Sequence, residues 1–122
     1  MRYIIYGAGA IGGTIGARLQ LAGADVLLIA RGAHFEKLAA DGLTYRSPSI
    51  SKTLQIPVVD HPAKITFHAD DVLLMTMKSQ HTEAALESLA IVAPPDLPII
   101  CAQNGVANEA MAVRKFRRVY GM

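Results

Sequence analysis

The chain has 122 residues, a formal net charge of +2, 52% hydrophobic and 18% charged side chains, and one cysteine. That length supports one domain with a single core, and so apolar a composition excludes a disordered chain. No apolar run reaches the roughly 18 residues of a membrane span, and the weak positive charge does not by itself point to nucleic acid, so neither is expected as a partner.

The opening residues read as a strand rather than a cleavable leader. Cys101 has no second cysteine to pair with, which points to a reducing, cytoplasmic setting. The apolar fraction is high for so small a domain and predicts surface meant for another domain or a second copy, a homodimer included.

Residues 2–6 are apolar, β-branched and aromatic, and run straight into Gly7-Ala8-Gly9-Ala10-Ile11-Gly12. The spacing G-x-G-x-x-G is weak evidence alone. Between a strand and a helix it has a mechanism: Gly7 for the tight turn, Gly9 for close backbone approach to a pyrophosphate, Gly12 for close helix–sheet packing. This segment, residues 7–12, is therefore the expected cofactor-binding turn. A helix over 10–21 follows, with Ile11, Ile15, Leu19 and Ala22 spaced as one buried face and Gly23 as its stop.

Residues 25–30 form a continuous apolar run, as in a parallel strand covered on both faces. A short helix over 34–41 ends at Gly42. The stretch around 43–60 differs: 44–46 and 54–59 alternate about Ser47-Pro48-Ser49, predicting a hairpin-like pair near a sheet edge, where Pro57 is tolerated. The parallel pattern resumes with a strand over 71–76, a helix over 80–91, a break at Pro94-Pro95 and a strand over 97–102. Asn108 is placed as the N-cap of a helix to 116, and 119–120 begins another strand. Strands alternating with helices predict an α/β fold of Rossmann type, a doubly wound, mostly parallel sheet with a hairpin-like insertion around 43–60. Ending at the start of a strand suggests a piece of a longer protein.

Three residues stand where such sheets bind ligands, at the carboxyl edge. Arg31 occupies the end of the second strand, where a site for NAD would carry an acid. An Arg entering a helix N-terminus opposes the helix dipole unless an anion lies between them, and the 2′-phosphate of NADP is such an anion. The plain alternative is a solvated arginine. Lys78 leaves the strand over 71–76 and faces an anion or a reacting group, or else is a surface lysine with a buried stem. Asn104 leaves the next strand, either to donate to a carbonyl or hydroxyl or simply as the turn residue of Asn-Gly.

The four histidines are scattered and read as surface residues, Cys101 as an inert core thiol, and the basic run at 114–118 as a solvated helix end. No metal-ligand cluster and no nucleophile–base pair is expected.

Together these segments resemble the ketopantoate reductases (2-dehydropantoate 2-reductases). The motifs are G-A-G-A-I-G-G from Gly7, A-R-G-A-H from Ala30, K-S-x-x-T-E from Lys78 to Glu83, and Q-N-G-V-A-N-E from Gln103. The resemblance implies NADPH-dependent reduction of 2-dehydropantoate to pantoate, on the route to pantothenate and coenzyme A. It matches Lys78 and Asn104 to positions that touch cofactor and substrate, and Arg31 to the position at the 2′-phosphate.

His81 departs from the family, which often has Gln there. Family members also continue into a helical C-terminal domain that supplies a second lysine, the general acid, and a substrate-binding glutamate. Residues 1–122 would then be the NADP-binding Rossmann domain of a two-domain enzyme. Its partners would be that helical domain and a small 2-oxoacid, and the isolated chain would be inactive. Two other readings stay open: a reductase of another small 2-oxoacid, and a non-catalytic nucleotide-sensing module. Arg31 counts against the latter, since such modules usually carry an acid there.

Overall fold

A computed structural model describes residues 1–103 and 107–121 of the chain. In chain order the elements are β1 (Arg2–Tyr6), α1 (Ala10–Leu21), β2 (Asp25–Ile29), α2 (Gly32–Asp41), β3 (Leu43–Arg46), β4 (Ser51–Leu54), β5 (Val58–Val59), β6 (Asp71–Met75), α3 (Thr82–Val92), β7 (Ile99–Cys101), α4 (Ala107–Val113) and β8 (Val119–Gly121), with 3-10 turns at Pro62–Lys64 and Ser79–His81. No helix among the described residues is long and apolar enough to cross a membrane.

Six strands form one parallel sheet in the order β5-β2-β1-β6-β7-β8. From β1 the chain winds outward through β2 to β5, then crosses back and winds the other way through β6, β7 and β8. The order therefore reverses between β1 and β6, and the crevice outside the carboxyl ends of those strands is where such sheets take ligands.

Helices cover both faces, which is why the central strands are apolar without alternation. Ile4, Leu73, Met75 and Ile99 pack with Leu86 and Leu89 of α3 on one side. On the other, Ile5, Val26, Leu28 and Leu74 pack with Leu38 of α2.

Helix α1 has the predicted bounds but not the predicted buried face. Gly12, Gly13, Gly16 and Ala17 are buried, whereas Ile11 is 56% exposed, Ala22 is exposed, and Ile15 and Leu19 are only partly covered. The small residues let the helix backbone approach the sheet: a Cβ on Gly16 would lie 3.2 Å from Leu28 Cδ2, and one on Gly12 would meet Thr76 Oγ1 at 2.5 Å. Apolar periodicity favoured the large side chains, and close packing selected the small ones. At the other end Gly23, with φ +89, lets its N–H reach Gln20 O while the Ala24 N–H reaches Leu19 O, closing the helix as predicted.

The insertion is also divided differently. β3 pairs antiparallel with β4 from Leu43↔Leu54 to Arg46↔Ser51, as a separate two-stranded sheet. The rest of the predicted second arm leaves the hairpin and adds β5 to the edge of the main sheet. There Pro57 O accepts from Leu28 N–H and Val59 O from Ala30 N–H. Pro57 lacks an N–H and sits just before an edge strand, where none is required.

Asn108 is not a cap either. It lies within α4 and is 1% exposed.

Candidate functional site

After Tyr6 the chain turns at Gly7, whose φ of +97 and whose distance from Met77 exclude a side chain: a Cβ there would lie 2.7 Å from the Met77 nitrogen. The Gly7 N–H donates to Ile29 O at 3.0 Å, fastening the turn to β2. Gly9 then caps α1 with no side-chain hydrogen bond, and no acid occupies the first turn. A Cβ on Gly9 would meet nothing within 4 Å, so the turn opens outward there. An uncapped helix start with an open approach suits an anion, since its leading amides keep their donors.

This turn forms one wall of a cleft of about 670 Å³ at the switch point. Gly7, Ala8, Gly9, Ala10, Ile11, Arg31 and Lys78 all line it, so most of the predicted site residues come together. Gly12 does not line the cleft but is buried beneath it, against Thr76 and Gly7 O. Asn104 lies outside the described residues. Tyr6 and Ile29 line the cleft at the strand ends, Asp60 and His61 close one side, and Ala84, Ala85 and Ser88 of α3 the other.

Arg31 is the N-cap residue of α2 and Lys78 precedes the 3-10 turn before α3. Both are exposed, and neither has an ion-pair partner among the described residues. Burial pushes the Tyr6 phenol above its ordinary pKa, and the charge of Arg31 works in the opposite direction, which places that cation within electrostatic reach of Tyr6.

The histidines are less scattered than their sequence positions indicate. His34, His61 and His81 all line this cleft. They come from the first turn of α2, the turn after β5 and the turn before α3, each just past the carboxyl end of a parallel strand. Position relative to strand ends was the available signal. His61 also has a local duty, its Nδ1 accepting from Ala63 N–H at 3.0 Å.

Thr76 was missed altogether because it reads as the last residue of an apolar strand. Its hydroxyl lies 3.0 Å from Tyr6 O and 2.7 Å from Gly7 O and donates to these carbonyls, while its N–H bonds Tyr6 O at 2.9 Å. It clasps the glycine turn to β6.

Cys101 is buried, and burial pushes its thiol pKa up, consistent with the inert reading. A group not expected from sequence, His68, Asp70 and Asp71, has potential ligand atoms within 4.8 Å of one another at the amino edge of the sheet. Its carboxylates are already engaged: Asp71 with Arg2 at 2.7 Å and Asp70 with the N-terminal amine at 2.8 Å.

A doubly wound parallel sheet, with a glycine turn entering a helix and a cleft at the point of strand reversal, defines a Rossmann-type α/β domain. The family described as ketopantoate reductase PanE/ApbA matches residues 3–122, and the chain belongs to that family. A 2-dehydropantoate 2-reductase of Archaeoglobus fulgidus is 36% identical over 121 residues, covering 98% of this chain and 38% of its own length. A solved 2-dehydropantoate 2-reductase of Geobacter metallireducens superposes with a TM-score of 0.86 at 30% identity, covering 99% of this chain and 40% of that one. A D-mandelate dehydrogenase solved with NADH and anilino(oxo)acetate gives a TM-score of 0.87 at 24% identity, over 99% of this chain and 40% of that one, a likeness of fold alone. The chain thus spans little more than a third of the length of these relatives.

Proposed function

We propose that this chain is the NADPH-binding half of a 2-dehydropantoate 2-reductase, with residues 1–122 forming the cofactor domain and a helical C-terminal domain completing the substrate cleft. One observation carries the reading: two cations without ion-pair partners among the described residues, Arg31 and Lys78, line the same cleft as an uncapped glycine turn. The residues present fit the cofactor. Amides of the 9–11 turn would take the pyrophosphate, and Arg31 the 2′-phosphate, with α2 beginning directly behind it.

Bound NADPH would supply the hydride for the keto carbon of the 2-oxoacid. Lys78 at the cleft, together with Asn104, orients the oxoacid and polarises its carbonyl. The proton for the resulting alkoxide comes from a general acid on the C-terminal domain. The buried lone thiol of Cys101 suits a reducing compartment such as the cytoplasm.

Titration of NADPH and NADH tests the cofactor assignment. A charge-assisted bond to Arg31 contributes roughly 1.5–3 kcal/mol, so Arg31→Ala should weaken NADPH about ten- to hundredfold and leave NADH unchanged. Equal affinity of the unaltered chain for both cofactors refutes the assignment. With 2-dehydropantoate the isolated chain should oxidise NADPH negligibly, because general acid catalysis alone is worth about 10²–10⁴-fold. Turnover near 1 s⁻¹, roughly the low end of typical enzymes, would show that the acid lies within these residues.

A further inference from the structure

Beside the cleft, and not lining it, lies a connected array of polar side chains that joins the loops after β6 and β7. Gln103, just past β7, donates from Nε2 to the Met77 carbonyl at 2.8 Å and to Thr82 Oγ1 at 2.7 Å. The Thr82 hydroxyl donates to Asn108 Oδ1 at 2.9 Å, and Asn108 Nδ2 donates to Ser79 Oγ at 3.0 Å. Thr82 is 0% exposed and Asn108 1%.

The array therefore starts at Met77 and returns to Ser79, the two residues that flank Lys78. Residues 78–81 are exposed, Lys78 has an extended backbone at φ −62 and ψ 146, and its carbonyl meets the His81 N–H at 2.9 Å. Apolar packing cannot fix an exposed turn, whereas buried hydrogen bonds aimed at both of its shoulders can. A long, flexible lysine loses less freedom on meeting its ligand when its backbone is already fixed.

We propose that Thr82 and Asn108 are positioning residues that set Lys78 at the mouth of the cleft, acting through the Met77 carbonyl and the Ser79 hydroxyl. This rests on the reading of Lys78 as a group that contacts the bound ligand. It also gives a use to Thr82 and Asn108, which belong to the motifs at 78–83 and 103–109 yet do not reach the cleft.

The test pairs a ligand-free measurement with a binding cycle. Thr82→Val keeps the side-chain shape and removes the hydroxyl; Thr82→Ser restores it. Ser79→Ala removes the hydroxyl that accepts from Asn108 Nδ2, at an exposed residue where the fold tolerates the change. In amide hydrogen exchange, Thr82→Val should speed exchange at residues 78–79 about tenfold, Ser79→Ala somewhat less, with 85–92 and the sheet unchanged and Thr82→Ser normal.

NADPH affinity should fall about fivefold in Thr82→Val, within the range of a lost hydrogen bond, and should not fall further when Lys78→Ala is already present. Unchanged exchange at 78–79, exchange raised evenly along α3, or an affinity loss that persists beside Lys78→Ala would each overturn the proposal. If the unaltered chain binds no NADPH, the cofactor reading fails, and the exchange pattern alone decides the positioning role.

Discussion

At their amino ends β1 and β6 place Arg2 opposite Asp71 in register, and at their carboxyl ends the same two strands deliver Gly7 and, three residues past β6, Lys78. The amino end is complete in itself. Arg2 Nε and Nη2 both reach Asp71, at 2.9 and 2.7 Å, His68 N–H adds a third bond, and the aspartate side chain is fully buried. The carboxyl end gathers Arg31, Lys78 and an uncapped helix start around open space, with no ion-pair partner for either cation among the described residues. One edge spends its charges on holding the strands together, and the other leaves them for something that arrives. An exposed pair such as Arg117–Asp96 belongs to neither role and contributes little in water.

The largest effect should come from breaking the self-complete edge. Arg2→Leu leaves the Asp71 carboxylate buried without its partner, a change that typically costs about 3–5 kcal/mol. Denaturant unfolding should record that loss, while NADPH affinity measured well below the transition stays as it was. Arg2→Leu combined with Asp71→Leu should recover most of the stability, because two apolar groups have no charge to desolvate. A single variant losing under about 1 kcal/mol would place this pair with ordinary surface pairs and remove one side of the comparison.

At the other edge the sensitive position is Gly7. Alanine there is strained by roughly 1–3 kcal/mol at positive φ, and its Cβ also collides with the Met77 backbone, which carries the approach to Lys78. Gly7→Ala should abolish detectable NADPH binding at a smaller loss of stability than Arg2→Leu. A Gly7→Ala chain that binds NADPH normally would show that the turn is not the anion cradle.

The parts legible in the sequence are those set by local pattern. β1, the glycine turn, α1 and β2 follow from apolar runs bounded by glycine, and the sheet class from their alternation. What stayed hidden depends on contacts between distant segments. Nothing local says that residues 58–59 leave the hairpin to pair with β2, that Asn108 turns inward to Thr82, or that Thr76 donates to carbonyls 69 and 70 positions away. The buried face of α1 was misread for a related reason: apolar spacing counts large side chains, whereas a helix seated close on a sheet buries its smallest. Of the cleft, the glycine turn, Arg31 and Lys78 were legible as lining residues because a motif places them at strand ends. The three histidines at the cleft went unread: each follows the carboxyl end of a strand, but it is the sheet order that brings His34, His61 and His81 to one cleft.

A smaller effect separates the clasp from the cradle. Thr76→Val keeps the shape and the backbone bond to Tyr6 O but removes the hydroxyl that reaches Tyr6 O and Gly7 O. One neutral hydrogen bond contributes about 1 kcal/mol, so stability should fall by that order and NADPH affinity by a few-fold as the turn loosens. Thermal unfolding and titration of the same preparation distinguish the two. Lost stability with unchanged affinity would make Thr76 a strand-joining residue only, and would move it to the amino-edge side of the comparison.

The smallest effect concerns Tyr6, which lines the same cleft as the two cations. Burial raises its phenol pKa above the ordinary value of 10.0, and the charge of Arg31 partly opposes this. The unfolded chain therefore ionises first, so the stability linked to this group is fully present below pH 10 and is lost as the pH rises through the folded value. Tyr6→Phe removes that term and should flatten the fall of stability above pH 10, leaving the neutral-pH value nearly unchanged. Ultraviolet titration of the variant should lack a phenol that ionises above the ordinary value. In Arg31→Ala the same phenol should ionise later still, because the cation that favoured its charged form is gone. If Arg31→Ala leaves that titration where it was, the arginine is directed away from the cleft floor. The open edge would then hold one cation at the glycine turn instead of two.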